Sequence, residues 1–150
     1  MDLQSELKPD IVASVTDLPL ADNSVDVSLC CQVLEHLPFD LFAVAMKELA
    51  RVATLGVVLS LPDARPHYEI RLRLPKLGSF KWAGTRPYHV PKKRRDAVWE
   101  SSGHYWEVGY RETPLTRVLG VLRANGLTVT RTWRVSENPY HRFFVLRVSR

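Results

Sequence analysis

The sequence has little of what marks secreted, disulfide-held or membrane-spanning proteins. Its two cysteines, Cys30 and Cys31, are adjacent, so they cannot link distant segments, and they favour a reducing, cytoplasmic location. No apolar run approaches the roughly 18 residues of a membrane-spanning helix, and the first residues do not resemble a secretory signal. No glycine occurs before Gly56, so the first third of the chain lacks the residue that lets a backbone approach a ligand most closely.

The composition is typical of one folded domain. The 150 residues are 45% hydrophobic and 25% charged, which excludes wholesale disorder and fits one shared core. The net charge of +5 is concentrated, because residues 63–112 hold eleven Lys and Arg against six Asp and Glu, whereas the other residues balance. The sequence therefore divides into a neutral scaffold and one basic, aromatic-rich insert.

Hydrophobic patterning in the first part of the chain predicts strands and a helix in alternation. Apolar stretches indicate strands at residues 11–15, 25–31 and 57–61. Apolar residues recur at helical spacing over residues 39–53. Near-continuous apolar strands with a helix between them favour a parallel sheet that is covered on both faces.

The rest of the chain predicts an irregular insert, then a helix and two strands. Residues 62–112 show no clear period, and we expect short helices or hairpins there because a structureless loop of that length is unusual. Thr113 is the predicted N-cap of a helix that stops before Gly126. The two last strands are predicted at residues 127–135 and 143–148, with a turn around Asn138 and Pro139.

Two motifs lie on either side of the strand predicted at residues 25–31. Residues 17–27 read DLPLADNSVDV, and residues 32–37 read QVLEHL. Together they resemble the "LPF-x-D-x-SFD" turn and the "EVLEHL" segment that flank the fourth strand of class I S-adenosylmethionine-dependent methyltransferases. The segments KELARV at 47–52 and VLSLP at 58–62 are similar to the family's next helix and fifth strand.

The resemblance implies an α/β fold with an incomplete Rossmann-like class I methyltransferase sheet, equivalent to the family's third to seventh strands. The family's last two strands form an antiparallel hairpin, which the C-terminal strands would match. The implied organisation is one partial domain: a core at 1–62, the basic insert and substrate region at 63–112, and a helix plus hairpin at 113–150. The implied function is methyl transfer from S-adenosylmethionine to an unidentified acceptor.

The cofactor site that the resemblance implies is only partly present. Asp2 matches by spacing the acidic residue that holds the ribose hydroxyls, and Ser14 stands where an Asp usually accepts from the adenine amino group. Val15 would read the ring through its backbone amide, and Gln32 opens the segment after the fourth strand. The family's glycine-rich first loop is missing. S-adenosylmethionine is the implied cofactor, and we expect its pocket in this chain to be incomplete.

The family's first two strands are missing as well, and they would lie between the strands predicted at 11–15 and 25–31. Their absence would expose one edge of the sheet, and an unpaired apolar edge is an aggregation template. The third strand could slide over to pair, another copy or a partner chain could supply strands, or the sequence could be a shortened version of a longer gene product. We expect the shortened version.

Three polar segments are expected to meet at the carboxyl ends of the strands, where open α/β sheets bind ligands. They are residues 32–36, the insert at 63–112 and the connection at 136–141. They supply His36, His104 and His141 as candidate catalytic residues, because a histidine titrates near neutrality. Candidates for substrate contact are Tyr105, Trp106, Glu107, Glu137 and Tyr140. Structural alternatives remain open: a helix cap for His36, an insert that packs on its own aromatic side chains, and a proline turn before His141.

No recognised metal or nucleic-acid motif is present. His67, His89, His104 and His141 lack ligand spacing, so no metal site is expected. The basic run at 92–95 suits an anionic small metabolite or, less favoured, a nucleic acid, although most charge runs are solvated loops. The main alternative to a methyltransferase is a catalytically inactive module of the same fold that binds a partner.

Overall fold

The computed structural model describes residues 5–76, 78–86 and 90–149. Short 3-10 turns occur at Ser5–Leu7 and Leu34–His36. The elements are β1 (Val25–Cys31), α1 (Phe39–Val52), β2 (Ala53–Pro62), β3 (His67–Leu74), β4 (Gly78–Thr85), α2 (Lys92–Ser102), α3 (Leu115–Ala124), β5 (Leu127–Val135) and β6 (Asn138–Val148). In this part of the chain, no helix has both the length and the apolar character needed to cross a bilayer.

Four strands form a mixed sheet in the order β1-β2-β6-β5. β1 runs parallel to β2, with α1 as the connection, whereas β6 is antiparallel to both β2 and β5. The α/β fold, the strand at Val25–Cys31 and the antiparallel C-terminal pair are therefore confirmed. β1 is an edge strand, so one side of its backbone pairs with no other strand among the described residues.

The core lies between the sheet and two helices, α1 and α3. Phe42 and Met46 of α1 and Leu122 of α3 are fully buried, which explains the helical spacing of apolar residues in both segments. The expectation of a sheet covered on both faces is wrong at β1. Val27 and Leu29 point away from the core and are 49% and 71% exposed, because none of the described elements packs over that face.

The strand predicted at residues 11–15 is also wrong. This segment forms no continuous strand, and Ser14 makes an isolated bridge with Asp17. A strand needs a continuous neighbour to satisfy its backbone groups, and none of the strands in the described sheet pairs with this segment. The adjoining coil is held by α1 instead: Arg51 donates to the carbonyl oxygens of Leu20 (2.7 Å) and Leu18 (3.0 Å). The family's third strand therefore has no counterpart in the described sheet.

Two local predictions in the second half need correction. α3 begins at Leu115 with Pro114, not Thr113, in the N-cap position. The Thr113 hydroxyl donates instead to the Glu107 carbonyl oxygen (2.7 Å) and does not cap the helix. The expected turn around Asn138 is wrong too, since β6 already begins there and the chain reverses just before it.

The insert contains the predicted short elements. β3 and β4 form an antiparallel hairpin outside the main sheet, and most of its side chains are exposed. α2 follows, and it ends at Gly103, whose φ of 68° is the left-handed conformation that glycine adopts without strain. This turn brings the next residue, His104, towards the end of β1.

Candidate functional site

Four polar side chains from three segments meet beyond the carboxyl ends of β1 and β2. His104 Nδ1 lies 3.0 Å from Glu107 Oε1 and 3.3 Å from the Tyr140 hydroxyl, which itself donates to Glu107. The ring of His36 stands edge-on to that of His104, with 4.9 Å between centroids. We call His36, His104, Glu107 and Tyr140 the His104 cluster.

The hydrogen bonds of the His104 cluster compensate for its burial. Glu107 is 2% exposed, and an unpaired carboxylate at that depth would be costly. Burial, together with the bond to Glu107, raises the pKa of Tyr140, so its hydroxyl stays protonated and remains a donor. Burial and the nearby His104 lower the pKa of His141, whose ring lies 4.9 Å from that of Tyr140. His141 is therefore neutral at physiological pH.

Glu35 adds a second carboxyl group to this region. It is 1% exposed, its Oε2 atom has no hydrogen-bond partner among the described residues, and burial raises its pKa. Glu35, His36 and His104 each place one ligand atom within 4.8 Å of the other two. Histidine spacing gave no sign of this group, because it joins two adjacent residues to one from a distant segment.

A cavity of about 590 Å³ opens beside the His104 cluster. Its aromatic walls are Phe39, Trp99, Tyr105, Trp106 and Tyr110. Trp106 is buried and fixed by a bond from its Nε1 to the Leu37 carbonyl oxygen (3.1 Å), whereas Tyr105 is 52% exposed. The cavity is large enough for a small aromatic ligand.

The cationic side chains at this cavity are largely paired. Lys92 lies 2.7 Å from Asp96, and Arg95 lies 2.8 Å from Glu112. Two members of the basic run at 92–95 are thus committed to carboxylates, which reduces the free positive charge that the sequence suggested for this segment.

A second opening, a groove of about 890 Å³, runs along the free edge of β1. It contains three of the predicted cofactor residues, Ser14, Val15 and Gln32, while Asp2 lies outside the described residues. Among the described residues that line the groove there is no Asp, Glu, Lys or Arg. The Ser14 hydroxyl is already bonded to the side chain (2.7 Å) and backbone N–H (3.2 Å) of Thr16.

The groove therefore does not fit S-adenosylmethionine by itself. The cofactor carries ribose hydroxyls, an ammonium and a carboxylate, and each needs a polar partner. The described groove offers mainly apolar side chains, two serines that are already hydrogen-bonded within the fold, Gln32 and His36. None of these side chains carries the negative charge that would pair with the ammonium group.

The structure thus brings together most of the predicted site residues from the second half of the chain. His104, Glu107 and Tyr140 are in contact with one another, and Tyr105 and Trp106 line the cavity beside them. Glu137 is exposed in the turn between β5 and β6, away from the cavity lining. The roles assigned to these residues remain predictions.

A buried ion cluster around Asp63, which sequence reasoning missed, lies next to the site and is bonded to the backbone of Tyr140. The Asp63 carboxylate lies 2.7 Å from each of Arg65, Arg134 and Arg142. Its backbone N–H donates to the Tyr140 carbonyl oxygen (2.7 Å), so the cluster fixes the residue that reaches the site. Burial alone would raise the pKa of Asp63, but hydrogen bonds from the arginines hold it below its usual value.

Comparison with known proteins agrees with this architecture. Residues 3–61 match the family described as "Methyltransferase domain". The matched region contains the coil before β1, β1 itself, the 3-10 turn with Glu35, α1 and most of β2. No curated protein matches the chain in sequence.

Several solved structures share the fold at low sequence identity. Magnesium protoporphyrin IX methyltransferase from Synechocystis PCC 6803, with bound S-adenosylhomocysteine, is 18% identical (TM-score 0.55; 91% of this chain, 49% of that chain). A Burkholderia thailandensis 1,6-didemethyltoxoflavin-N1-methyltransferase is 14% identical (TM-score 0.54; 93% and 50%). A chain of the complex between the Haloferax volcanii Trm112 methyltransferase activator and a methyltransferase is 12% identical (TM-score 0.53; 93% and 60%). The chain spans about half the length of the first two structures.

Proposed function

We propose that this chain forms the acceptor-binding half of an S-adenosylmethionine-dependent methyltransferase. The observation that carries the proposal is the meeting of His36, His104 and Tyr140 at the carboxyl edge of the sheet, beside an aromatic cavity. Ligands of open α/β sheets bind at this edge. Two unpaired cysteines in the described structure are consistent with a cytoplasmic setting.

The acceptor that suits the cavity is a small aromatic metabolite with a hydroxyl group and an anionic substituent. Aromatic side chains supply most of the lining, and stacked or edge-on ring pairs favour a flat ligand. The hydroxyl would reach the His104 cluster, where donors and acceptors are concentrated. The anionic substituent would compete with Asp96 for the exposed ammonium of Lys92, or with Glu112 for the half-buried guanidinium of Arg95.

Methyl transfer to a hydroxyl group requires removal of one proton, and His141 is suited to receive it. A neutral imidazole can accept a proton, and the lowered pKa of His141 keeps it neutral. His36 and His104 would then hold the acceptor oxygen, with Glu107 fixing the orientation of the His104 ring.

Binding of phenolic carboxylates tests the acceptor site. We expect 4-hydroxybenzoate to bind more tightly than 4-methoxybenzoate, because the hydroxyl makes a hydrogen bond worth about 1 kcal/mol, roughly fivefold in affinity. Trp99→Ala should weaken binding about two- to tenfold through loss of a cavity wall. Calorimetry and tryptophan fluorescence provide the measurements.

The matched control is Trp82→Ala, which removes a half-exposed tryptophan of similar exposure on the β3–β4 hairpin, outside the cavity. Its affinity should equal that of the unchanged protein. Equal binding of the hydroxy and methoxy compounds, or equal weakening by both tryptophan variants, would refute the acceptor site.

The cofactor groove gives a separate prediction. S-adenosylmethionine added to the chain alone should produce no saturable heat of binding in calorimetry at concentrations up to about 1 mM. We expect a dissociation constant above about 1 mM, which corresponds to a binding free energy weaker than about 4 kcal/mol. The reason is the shortage of polar partners along β1. Micromolar binding would show that the groove is complete without further strands.

The second candidate function is a partner-binding module. The observation that favours it is the free edge of β1 with its exposed Leu29, since an additional strand could pair there. Nucleic-acid binding is less favoured, because Lys92 and Arg95 are paired with carboxylates in the same fold.

A further inference from the structure

Three side chains of the site surround one point. One oxygen of Glu35 and one ring nitrogen each of His36 and His104 lie within 4.8 Å of one another. Tetrahedral coordination with metal–ligand distances of about 2.0–2.1 Å places the ligand atoms about 3.4 Å apart. Closing the triangle from 4.8 Å therefore requires each atom to move by about 0.8 Å at most. His36 is exposed, so its ring can make such a movement freely.

The orphaned oxygen of Glu35 independently indicates a ligand. Oε2 is buried in a residue that is 1% exposed, and it has no hydrogen-bond partner among the described residues. A buried polar atom without a partner costs about 1–3 kcal/mol. A cation at the centre of the triangle would remove that cost, because it would give the carboxylate a partner of opposite charge.

The surroundings of His104 match those of a metal-binding histidine. Its Nδ1 faces the Glu107 carboxylate at 3.0 Å, which leaves Nε2 as the nitrogen available to a ligand. Metal-bound histidines usually donate their other N–H to a carboxylate, and this bond fixes the tautomer and the ring plane. Glu107 is held in turn by the Tyr140 hydroxyl.

We propose that Glu35, His36 and His104 bind a divalent transition-metal ion. Two imidazole nitrogens and one carboxylate suit Zn²⁺, Co²⁺ or Fe²⁺, whereas Mg²⁺ and Ca²⁺ prefer ligand sets made of oxygen alone. Three protein ligands leave at least one position open to water or to a hydroxyl group. Glu107 acts as a positioning residue for His104.

One consequence rests on the proposed function. A metal ion at this point would hold the oxygen of the acceptor and lower the pKa of its hydroxyl, so that the proton leaves more readily for His141 or for solvent. The metal site itself does not depend on methyl transfer.

Titration with Co²⁺ tests the site directly, because its visible absorption reports ligand number and geometry. Tag-free protein, freed of metal with a chelator, should bind one Co²⁺ per chain. Glu35→Gln, His36→Ala and His104→Ala should each abolish the saturable absorption. Glu107→Gln should weaken the affinity about 10- to 100-fold, the usual effect of losing the carboxylate behind a ligating histidine.

His67→Ala is the control, since His67 lies on β3 outside the triangle, and its binding should be unchanged. Circular dichroism checks that each variant folds. Should Glu35→Gln fail to fold, the exposed His36 still decides the question. Wild-type affinity in His36→Ala, or no stoichiometric binding by the unchanged chain, would overturn the proposal. Metal binding without any affinity for hydroxybenzoates would instead refute the acceptor site and leave the metal site standing.

Discussion

Asp63→Asn should destabilise the protein by about 3–5 kcal/mol, the usual cost of removing one partner from a buried ion cluster. The substitution keeps the shape of the side chain but removes the negative charge that pairs with three arginines. Arg134 is the most affected, because its side chain is 2% exposed and cannot turn to water. Urea unfolding followed by tryptophan fluorescence measures the change.

The control for Asp63→Asn is Asp26→Asn. Asp26 is exposed on β1 and, among the described residues, accepts a long bond from the Thr54 hydroxyl (3.3 Å), so its loss should change the stability by less than about 0.5 kcal/mol. A similar effect of the two variants would mean that the arginines find other partners when Asp63 is neutral.

The Asp63 effect should depend on pH in a defined direction. The folded-state pKa lies below the ordinary value of 3.8, so the carboxylate stabilises the fold fully above pH 3.8. This contribution is lost as pH falls through the lower, folded-state pKa. The difference between the wild-type protein and Asp63→Asn should therefore be constant near neutrality and shrink in acid.

Gly56→Ala should also be strongly destabilising. A Cβ at this position would lie 2.2 Å from the carbonyl oxygen of Leu146 on the neighbouring strand β6, and a backbone atom cannot move aside cheaply. Overpacking typically costs about 1–3 kcal/mol, and separation of β2 from β6 would exceed that range. Thermal unfolding should show a fall of at least about 2–4 °C per kcal/mol.

Gly120→Ala provides a control of opposite sign. Gly120 lies within α3, where an added Cβ meets no atom within 4 Å. Alanine is the better helix former by about 1 kcal/mol, so this variant should be slightly more stable than the wild type. A mild effect of Gly56→Ala would contradict the close approach of β2 and β6.

Local patterns in the sequence predicted most elements of the fold. Apolar residues at helical spacing located α1 and α3, and β5 has the predicted bounds because turn-forming residues flank it. The segment at 11–15 has the composition of a strand, but it pairs with no strand of the described sheet. Composition shows which residues suit a strand, whereas pairing depends on segments far away in the sequence.

For the candidate site, too, some features could be predicted from the sequence, whereas others depend on contacts between distant segments. Family resemblance and strand order predicted that His36, His104 and Tyr140 would come close together, as they do. The environment of the buried Glu35 could not be read from its neighbours in sequence, since it depends on how the insert folds back: the Tyr105 N–H donates to the Glu35 carbonyl oxygen, and Oε2 has no partner among the described residues. Two of the three arginines around Asp63, Arg134 and Arg142, lie 71 and 79 residues further on, so no local pattern links them to it.

The coil before β1 has a consequence for association. Side chains of α1 hold it: Arg51 donates to the carbonyl oxygens of Leu18 and Leu20, and Glu48 accepts from the Leu18 N–H (3.0 Å). The coil is not hydrogen-bonded as a strand of the described sheet. The coil therefore lies along the open edge of β1 and partly covers it, and its contacts with these side chains would have to break for it to move. An incoming strand would first have to displace Ser14 and Val15, which line the same groove. Such a barrier slows unspecific stacking of exposed edges and reserves this one for a partner that offers compensating contacts.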